Sequence, residues 1–183
     1  MTIDEIFTEL SGHMILNLMR HDQMSDYYDF LSLRGYKRCH EYHYHKEMCG
    51  YRKLHRYAIN HHGKLIEEKR IEDPEAIPSS WYRYNRSEVD ASTKRNAVKT
   101  GIEKWVAWEK ETKDLYQRMY KELMNMGEEA VAIFLQKYIE DVDCELKWAE
   151  RKAIELSDVD YSLAYIIGEQ KRLHDKYKDK MAW

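Results

Sequence analysis

Three glutamates lie at the centres of helical stripes that are otherwise mostly apolar, and their side chains are of the type that binds metal ions. Glu109 is the first of them. A carboxylate placed among apolar neighbours is costly unless it is paired, protonated or bound to a metal. Its stripe consists of Val98, Ile102, Trp105, Glu109, Thr112, Tyr116, Met119, Leu123 and Met126, at the heptad-like spacing of one helix face.

The same pattern recurs in two other segments. Glu47 lies in the middle of one stripe and Glu145 in the middle of another. The first stripe contains Tyr36, His40, His43, Glu47, Gly50, Leu54 and Tyr57, and the second contains Phe134, Tyr138, Val142, Glu145, Ala149, Lys152 or Ala153, and Leu156. Three predicted helices therefore each offer one central glutamate.

Carboxylates at matching heights on converging helices would form a hard, anionic oxygen site. Carboxylate combined with imidazole suits iron or manganese, and two ions bridged by such groups can react with dioxygen. A second interpretation stays open, in which each glutamate lies at the edge of its apolar face and reaches out to solvent.

Histidines near these glutamates could add imidazole ligands. His43 precedes Glu47 by one turn on the same face, and His40 continues that row. Glu9 and His13 would form a chelating pair at i and i+4 on the first helix. The alternative is that the histidines of this Tyr- and His-rich second helix pack and form hydrogen bonds without any metal.

The elements that must position these residues are helices. Glycines at 63 and 127 separate segments, and residues 64–95, which contain both prolines, form the one long connection. Such a connection joins parallel neighbouring helices by running the length of the bundle. We therefore predict an all-α four-helix bundle with a long crossover between helices 2 and 3 and an additional fifth helix. The predicted helices cover about 3–20, 33–62, 96–126, 128–156 and 160–181.

Composition excludes several classes of protein. The formal net charge is −3 with 30 basic and 33 acidic residues interspersed, so nothing favours nucleic-acid binding. Three scattered cysteines fit a reducing, cytoplasmic location better than a disulfide framework. No apolar run is long enough for a membrane span. We expect a single domain over residues 1–183.

Two segments resemble the ferritin family. The segment from Leu33-Arg34-Gly35-Tyr36 to His62-Gly63-Lys64-Leu65 is similar to the second ferritin helix, and Phe134-Leu135-Gln136-Lys137-Tyr138 is similar to a bacterial ferritin signature of the fourth. Counting along these segments places Glu47, Glu109 and Glu145 on ligand glutamates of the family. The resemblance therefore implies a ferritin-like di-iron carboxylate site.

The resemblance also implies a first-helix ligand and shows two departures. Glu9 would supply the remaining carboxylate if the connection to helix 2 is about three residues longer than usual, and Glu5 or His13 could serve instead. Gly50 replaces the histidine of the family's Glu-x-x-His pair, and Val142 replaces a glutamine found in many ferritins. His43 could supply the missing imidazole.

The resemblance implies an iron-binding protein that oxidises Fe(II) at Glu47, Glu109 and Glu145, with possible iron storage in a homo-oligomer; manganese is the other candidate metal. Tyr51 and Trp105 could carry electrons. A ferritin-like scaffold with a degenerate metal site, acting as a structural or interaction protein, is the alternative. A di-metal enzyme acting on peroxide or an organic substrate is a third hypothesis.

Overall fold

The part of the chain that the structure describes contains five α-helices and no strand. The structure, a computed structural model, describes residues 1–68, 74, 76–83 and 85–180. The helices are α1 (Ile3–Phe30), α2 (Arg34–His62), α3 (Ala91–Asn125), α4 (Glu129–Asp158) and α5 (Leu163–Tyr177). None of the described helices is long and apolar enough to cross a membrane.

The first four helices form two antiparallel hairpins. In the α1/α2 hairpin, Tyr28 packs on Tyr36 near the turn, while Phe7 packs on His62 at the far end. In the α3/α4 hairpin, Lys113 forms an ion pair with Asp143 at 2.5 Å. This arrangement, with its fifth helix, confirms the predicted all-α ferritin-like bundle.

The described parts of the connection between α2 and α3 contact both ends of α1. Near its start, Lys64 Nζ lies 2.6 Å from the carboxylate of Asp4, at the beginning of α1. Further along, the ring of Trp81 stacks on Tyr27 with centroids 4.2 Å apart, close to the end of α1. The predicted crossover is therefore present, with two short 3₁₀ turns, Ser79–Arg83 and Arg86–Glu88.

The predicted end of the first helix was wrong. Instead of ending near residue 20, α1 continues to Phe30 because Met24, Tyr27 and Tyr28 keep a buried face turned towards the bundle. The polar residues His21-Asp22-Gln23 interrupt the hydrophobic pattern without interrupting the helix. Its end comes where Ser32 adopts a positive φ of 59°.

Two other boundaries also differ from the prediction. Helix α3 begins at Ala91 rather than near 96 because the Asp90 carboxylate accepts a hydrogen bond from the Thr93 backbone N–H at 2.7 Å and caps the helix. Helix α5 begins later than predicted because Asp160 and Tyr161 both have positive φ. Its predicted end at residue 181 lies outside the described residues.

The interior consists of two apolar cores separated by polar side chains. One core contains Met24, Tyr28 and Trp105, and the other contains Leu10 and Met119. The buried polar side chains between and beside them are Ser11, His13, Asn17, His21, Ser25, His40, His43, Glu109 and Thr112. Burying polar groups costs stability unless they form hydrogen bonds or ion pairs. Hydrophobic packing therefore does not explain why this middle region contains these residues.

Helix α5 crosses the start of α2 at a single glycine. A Cβ atom added to Gly35 would stand 1.8 Å from the backbone oxygen of Gln170, which is closer than any real contact. The position therefore has to be glycine for α5 to lie where it does. Lys152 of α4 holds the same helix through Glu169, with a nitrogen–oxygen distance of 2.8 Å.

We predict that Gly35→Ala displaces α5 and lowers the free energy of unfolding by about 1–3 kcal/mol or more, because the clash is with backbone that cannot rotate away. The matched control is Gly168→Ala in α5, where an added Cβ meets nothing within 4 Å. That change should be neutral or slightly stabilising. Equal losses in the two variants by urea unfolding would contradict the close approach.

Candidate metal centre

Four side chains, one from each helix of the bundle, lie at one level of the polar region. Glu47, Glu109 and Glu145 come from α2, α3 and α4, and Asn17 comes from α1. Two contacts set this level. Asn17 Nδ2 donates to Thr112 Oγ1 at 2.9 Å, and Thr112 lies one turn from Glu109; His43 Nδ1 lies 3.3 Å from Glu145 Oε1, and His43 lies one turn from Glu47. We call these four residues the carboxylate layer.

The three carboxylates of the layer influence one another's ionisation. Burial, reinforced by the charge of Glu145, raises the pKa of Glu47 to about 8. Burial is also the largest cause for Glu109. It raises the pKa of that carboxyl well above its usual range, and the charges of Glu145 and Glu47 raise it further. Burial and mutual repulsion therefore favour the protonated form of both residues in the metal-free protein. Such repulsion arises only between carboxylates that lie near one another.

Glu145 is the ionised member of the layer. Burial acts to raise its pKa, but His43 and Lys46 outweigh burial and lower the pKa to about 2. The ammonium of Lys46 lies 2.6 Å from Glu145 Oε1 and 3.9 Å from Asp141 Oδ2. A lysine from α2 is thus the counter-ion of the one charged glutamate.

Glu109 is held by the indole of Trp105 one turn earlier in α3. Trp105 Nε1–H donates to Glu109 Oε1 at 2.7 Å, and both side chains are buried. The other faces of this indole contact the rings of His43 and Trp148, with centroids 4.7 and 5.0 Å away. In the metal-free protein Trp105 therefore orients the carboxylate of Glu109 through one of its two oxygens.

Three histidines pack beside the layer. His21 Nδ1 and His40 Nδ1 are 2.9 Å apart and share one hydrogen bond, and His21 stacks on His43 with centroids 5.4 Å apart. Burial lowers the pKa of His21 to about 3 and that of His40 well below its usual value, so both rings are neutral. The hypothesis that the histidines of the second helix pack and form hydrogen bonds describes His40, whose partner is His21 of α1. His43 differs because it contacts a carboxylate.

His13 faces the interior on the opposite side of the layer from these histidines. Its Nε2 lies 2.8 Å from Thr112 Oγ1, whose own proton goes to the carbonyl oxygen of Trp108 at 2.8 Å. His13 is therefore the donor in its bond, and burial lowers its pKa to about 4, so the ring is neutral. It supports the layer through Thr112 and is not paired with Glu9.

Glu9 does not lie in the carboxylate layer. It precedes Asn17 by eight residues, or about 12 Å along the helix axis. Its carboxylate forms an ion pair with Arg118 at 2.5 Å. Glu5 is likewise engaged elsewhere, in the capping box at the start of α1. The α1 residue at the level of the glutamates is the amide Asn17, so the expected first-helix carboxylate is absent from the layer.

Tyr138 partly fills the space beside Gly50, the position at which the resemblance implies a histidine. Tyr138 of α4 crosses to α2 and donates to the carbonyl oxygen of Gly50 at 3.2 Å. A Cβ at Gly50 would stand 3.2 Å from Cε1 of this ring, which is a tight contact. One turn before Glu145, Val142 is buried and has no ligand atom. Both departures seen in the sequence therefore remove ligands at the layer.

The side chains of the layer are not arranged around a common point. Among the residues that the structure describes, no three His, Cys, Asp or Glu side chains already have the arrangement of a metal site. The reason is visible in the contacts, since Lys46 holds Glu145 and Trp105 holds Glu109. Metal binding would require the carboxylates to rotate towards a common point.

Sequence reasoning missed three residues of this site. Asn17 and His21 belong to one interior row on α1; His21 fell beyond the predicted helix end at residue 20, and Asn17 lay within the predicted helix but was not considered as a candidate ligand. Lys46 was overlooked because it is adjacent to Glu47 in the sequence and lies just outside the apolar stripe. A signal was available for the first two, since His13, Asn17, His21 and Met24 follow one another at helical spacing.

Comparison with known proteins supports the fold. The solved structure of an Archaeoglobus fulgidus ferritin, engineered by site-directed mutagenesis into a closed form, is similar to this chain with a TM-score of 0.77. The similarity covers 94% of this chain and 96% of that one, at 15% sequence identity. No family model matches the sequence, and no curated protein matches it. The chain therefore has the ferritin-like fold.

We predict that Glu47→Gln makes the metal-free protein less sensitive to alkali. Between the usual pKa of 4.5 and about 8, the folded chain holds a proton on Glu47 that the unfolded chain has released, so rising pH favours unfolding. The stability of the variant relative to wild type should therefore grow by about 2–4 kcal/mol between pH 5 and pH 9.

This comparison uses urea unfolding in the presence of a chelator, with Glu103→Gln, an exposed glutamate of α3, as the matched control. The control should follow the wild-type pH profile. Parallel profiles for Glu47→Gln and wild type would mean that Glu47 is ionised in the folded protein at neutral pH, against the arrangement described above.

Proposed function

We propose that the carboxylate layer binds one divalent metal ion per chain, with Fe(II) or Mn(II) as the preferred ion. The observation that carries the proposal is the meeting of Glu47, Glu109 and Glu145, from three different helices, at one level inside the bundle. Carboxylate oxygens with a nearby imidazole suit these two ions. His43, already 3.3 Å from Glu145, would be the nitrogen ligand.

The charges of the layer support one ion. In the metal-free protein the ionised Glu145 is balanced by Lys46, while Glu47 and Glu109 hold protons. If a divalent cation replaces those two protons, the three carboxylates are balanced by the cation and Lys46 together. A buried site is stable only when its charge is compensated, and a second divalent ion would leave the layer with two excess positive charges.

The ligand atoms also support one ion rather than a di-iron pair. At the level of the glutamates α1 offers the amide of Asn17 instead of the carboxylate that the resemblance placed at Glu9. Gly50 and Val142 stand where the resemblance implies an imidazole and an amide. We therefore no longer expect the di-iron ferroxidase that the resemblance implied, although iron binding stays in the proposal. Iron storage and assembly into a homo-oligomer remain predictions that nothing in the layer supports directly.

A second candidate function rests on Lys46. Its ammonium already neutralises Glu145 at 2.6 Å, so the layer is charge-balanced without any metal. This favours a ferritin-like scaffold with a degenerate metal site, in which the ammonium of Lys46 supplies the positive charge that a metal ion would otherwise provide. The two candidates differ in whether an added cation replaces the protons on Glu47 and Glu109.

Metal content after anaerobic loading with Fe(II), and separately with Mn(II), tests the proposal. We predict about one tightly held ion per wild-type chain after desalting, since charge balance limits the layer to one. The triple variant Glu47→Gln, Glu109→Gln, Glu145→Gln should hold none, because uncharged amides cannot compensate a divalent cation.

The matched control replaces three exposed glutamates, one each from the crossover, α3 and α4: Glu67→Gln, Glu103→Gln, Glu129→Gln. It should bind as wild type does, and circular dichroism should show that both triple variants remain helical. A wild-type chain that holds no ion would overturn the metal proposal in favour of the scaffold, and binding that survives in the layer variant would place the ion elsewhere.

A further inference from the structure

An aromatic pocket lies between the end of α1 and the crossover. Its volume is about 270 Å³, and four of its lining residues are aromatic: Tyr27 and Phe30 from α1, and Trp81 and Tyr82 from the first 3₁₀ turn. Asp26, which also lines the pocket, follows Asn17 by nine residues, or about 13 Å along the helix axis. The pocket is therefore separate from the carboxylate layer, and the metal proposal assigns no role to it.

The turn that follows Pro78 brings an indole onto the end of α1. The backbone N–H of Trp81 donates to the carbonyl oxygen of Pro78 at 2.9 Å, and the Trp81 ring stacks on Tyr27 with centroids 4.2 Å apart. Phe30 lies nearly parallel to Tyr27, with centroids 6.3 Å apart. Tyr27 is buried, but Phe30 and Trp81 are only partly buried, and Tyr82 is 67% exposed. The pocket therefore presents aromatic surface that a ligand can reach from solvent.

The charge at this pocket is negative. Asp26 is the only charged side chain among the described residues that line it, and it forms no ion pair with any residue that the structure describes. Asp22, one turn earlier on the same side of α1, adds a second carboxylate. The last turn of α1 contains no basic residue, so the partial negative charge of the helix C-terminus adds to that of the carboxylates. These charges favour a cation as the ligand.

Two basic residues near this end of α1 are engaged with other groups. Lys37 of α2 lies 3.6 Å from the carboxylate of Asp29 and also pairs with an acidic residue of its own helix. Arg86 of the crossover donates to the hydroxyl of Ser32 at 3.1 Å. Neither basic residue lines the pocket. Among the described side chains, no cation therefore compensates the charge of Asp26.

Aromatic rings elsewhere on this protein already have a cation over them. The ammonium groups of Lys152 and Lys176 lie 6.0 and 5.2 Å from the ring centroid of Trp148. No lysine or arginine that the structure describes takes such a position over Phe30 or Trp81. The aromatic pocket is thus open to a cation from outside the chain.

We propose that the aromatic pocket binds a quaternary ammonium ion, whose methyl groups pack on the rings of Phe30 and Trp81 and whose charge is balanced by Asp26. A cation is attracted to the face of an aromatic ring, and quaternary ammonium groups are typical ligands of such sites. A primary ammonium is strongly hydrated and would regain few of its hydrogen bonds from a lining with one carboxylate and one amide, those of Asp26 and Gln23. A quaternary ammonium has no N–H group and loses none.

Choline is the probe, and 3,3-dimethylbutan-1-ol is its neutral control, since it has the same shape with carbon in place of the charged nitrogen. Both are titrated in the presence of a chelator. Ligand-observed NMR measures the affinities, and the indole N–H signals of the ¹⁵N-labelled protein locate the site. The signals of Trp81 and Trp148 are assigned by their loss in Trp81→Leu and Trp148→Phe. We predict that choline shifts the signal of Trp81 and leaves that of Trp148 unchanged.

We predict that choline binds about tenfold more tightly than its neutral control, because only the cation gains from the rings and from Asp26. Asp26→Asn and Trp81→Leu should each reduce this preference several-fold, and Trp81→Phe should retain more of it than Trp81→Leu because a ring remains. Asp114→Asn, at an exposed position of α3, is the matched control and should bind as wild type does. Circular dichroism checks that all variants remain helical.

Three results would overturn the inference. The first is equal affinity for choline and its neutral control, and the second is a preference that survives unchanged in Asp26→Asn and Trp81→Leu. The third is a Trp81 signal that changes with protein concentration but not with choline, which would mean that a second copy of the chain covers the pocket. Because every measurement is made without metal, failure of the metal proposal would leave these outcomes unaffected.

Discussion

Three glutamate carboxylates from different helices meet inside this bundle, and they cannot all be ionised there without a cation. The metal-free protein meets this constraint by two means: Glu47 and Glu109 keep their protons, and Lys46 neutralises Glu145 at 2.6 Å. Protonation and an internal ammonium are the ordinary ways in which a buried carboxylate is tolerated. A divalent cation could replace the protons on these carboxyl groups, because its charge would compensate the carboxylates that deprotonation creates.

The rest of the structure holds the layer in place and leaves one side of it open. Apolar cores above and below fix the helices, and polar partners such as Trp105 and Thr112 orient the side chains between them. Helix α5 adds to this support by crossing α2 at Gly35. Between α2 and α4 a cavity of about 710 Å³ reaches Glu47 and Glu145. A rigid scaffold with one accessible layer is suited to binding, whichever ligand proves to occupy it.

The sequence predicted the fold better than the site. Long helices with few glycines, and a connection holding both prolines, specified two hairpins and a crossover. The stripes also singled out Glu47, Glu109 and Glu145 as candidate ligands, because an ionisable residue within an apolar face is conspicuous. Glu9 was misplaced because counting from a resemblance fixes register only when connection lengths are known. Lys46 could not be predicted, since a lysine beside a stripe reaches either solvent or the interior depending on how wide the neighbouring seam is.

The most direct test of the account is the number of protons released when the metal-free protein binds Mn(II) at pH 7. Titration calorimetry in two buffers of different ionisation enthalpy measures it. The account predicts a release of one to two protons per bound ion, from Glu47, whose pKa is raised to about 8, and from Glu109, whose pKa is raised by burial and by the neighbouring carboxylates. Binding without proton release would contradict it, because the ion would then lie at carboxylates that were already ionised.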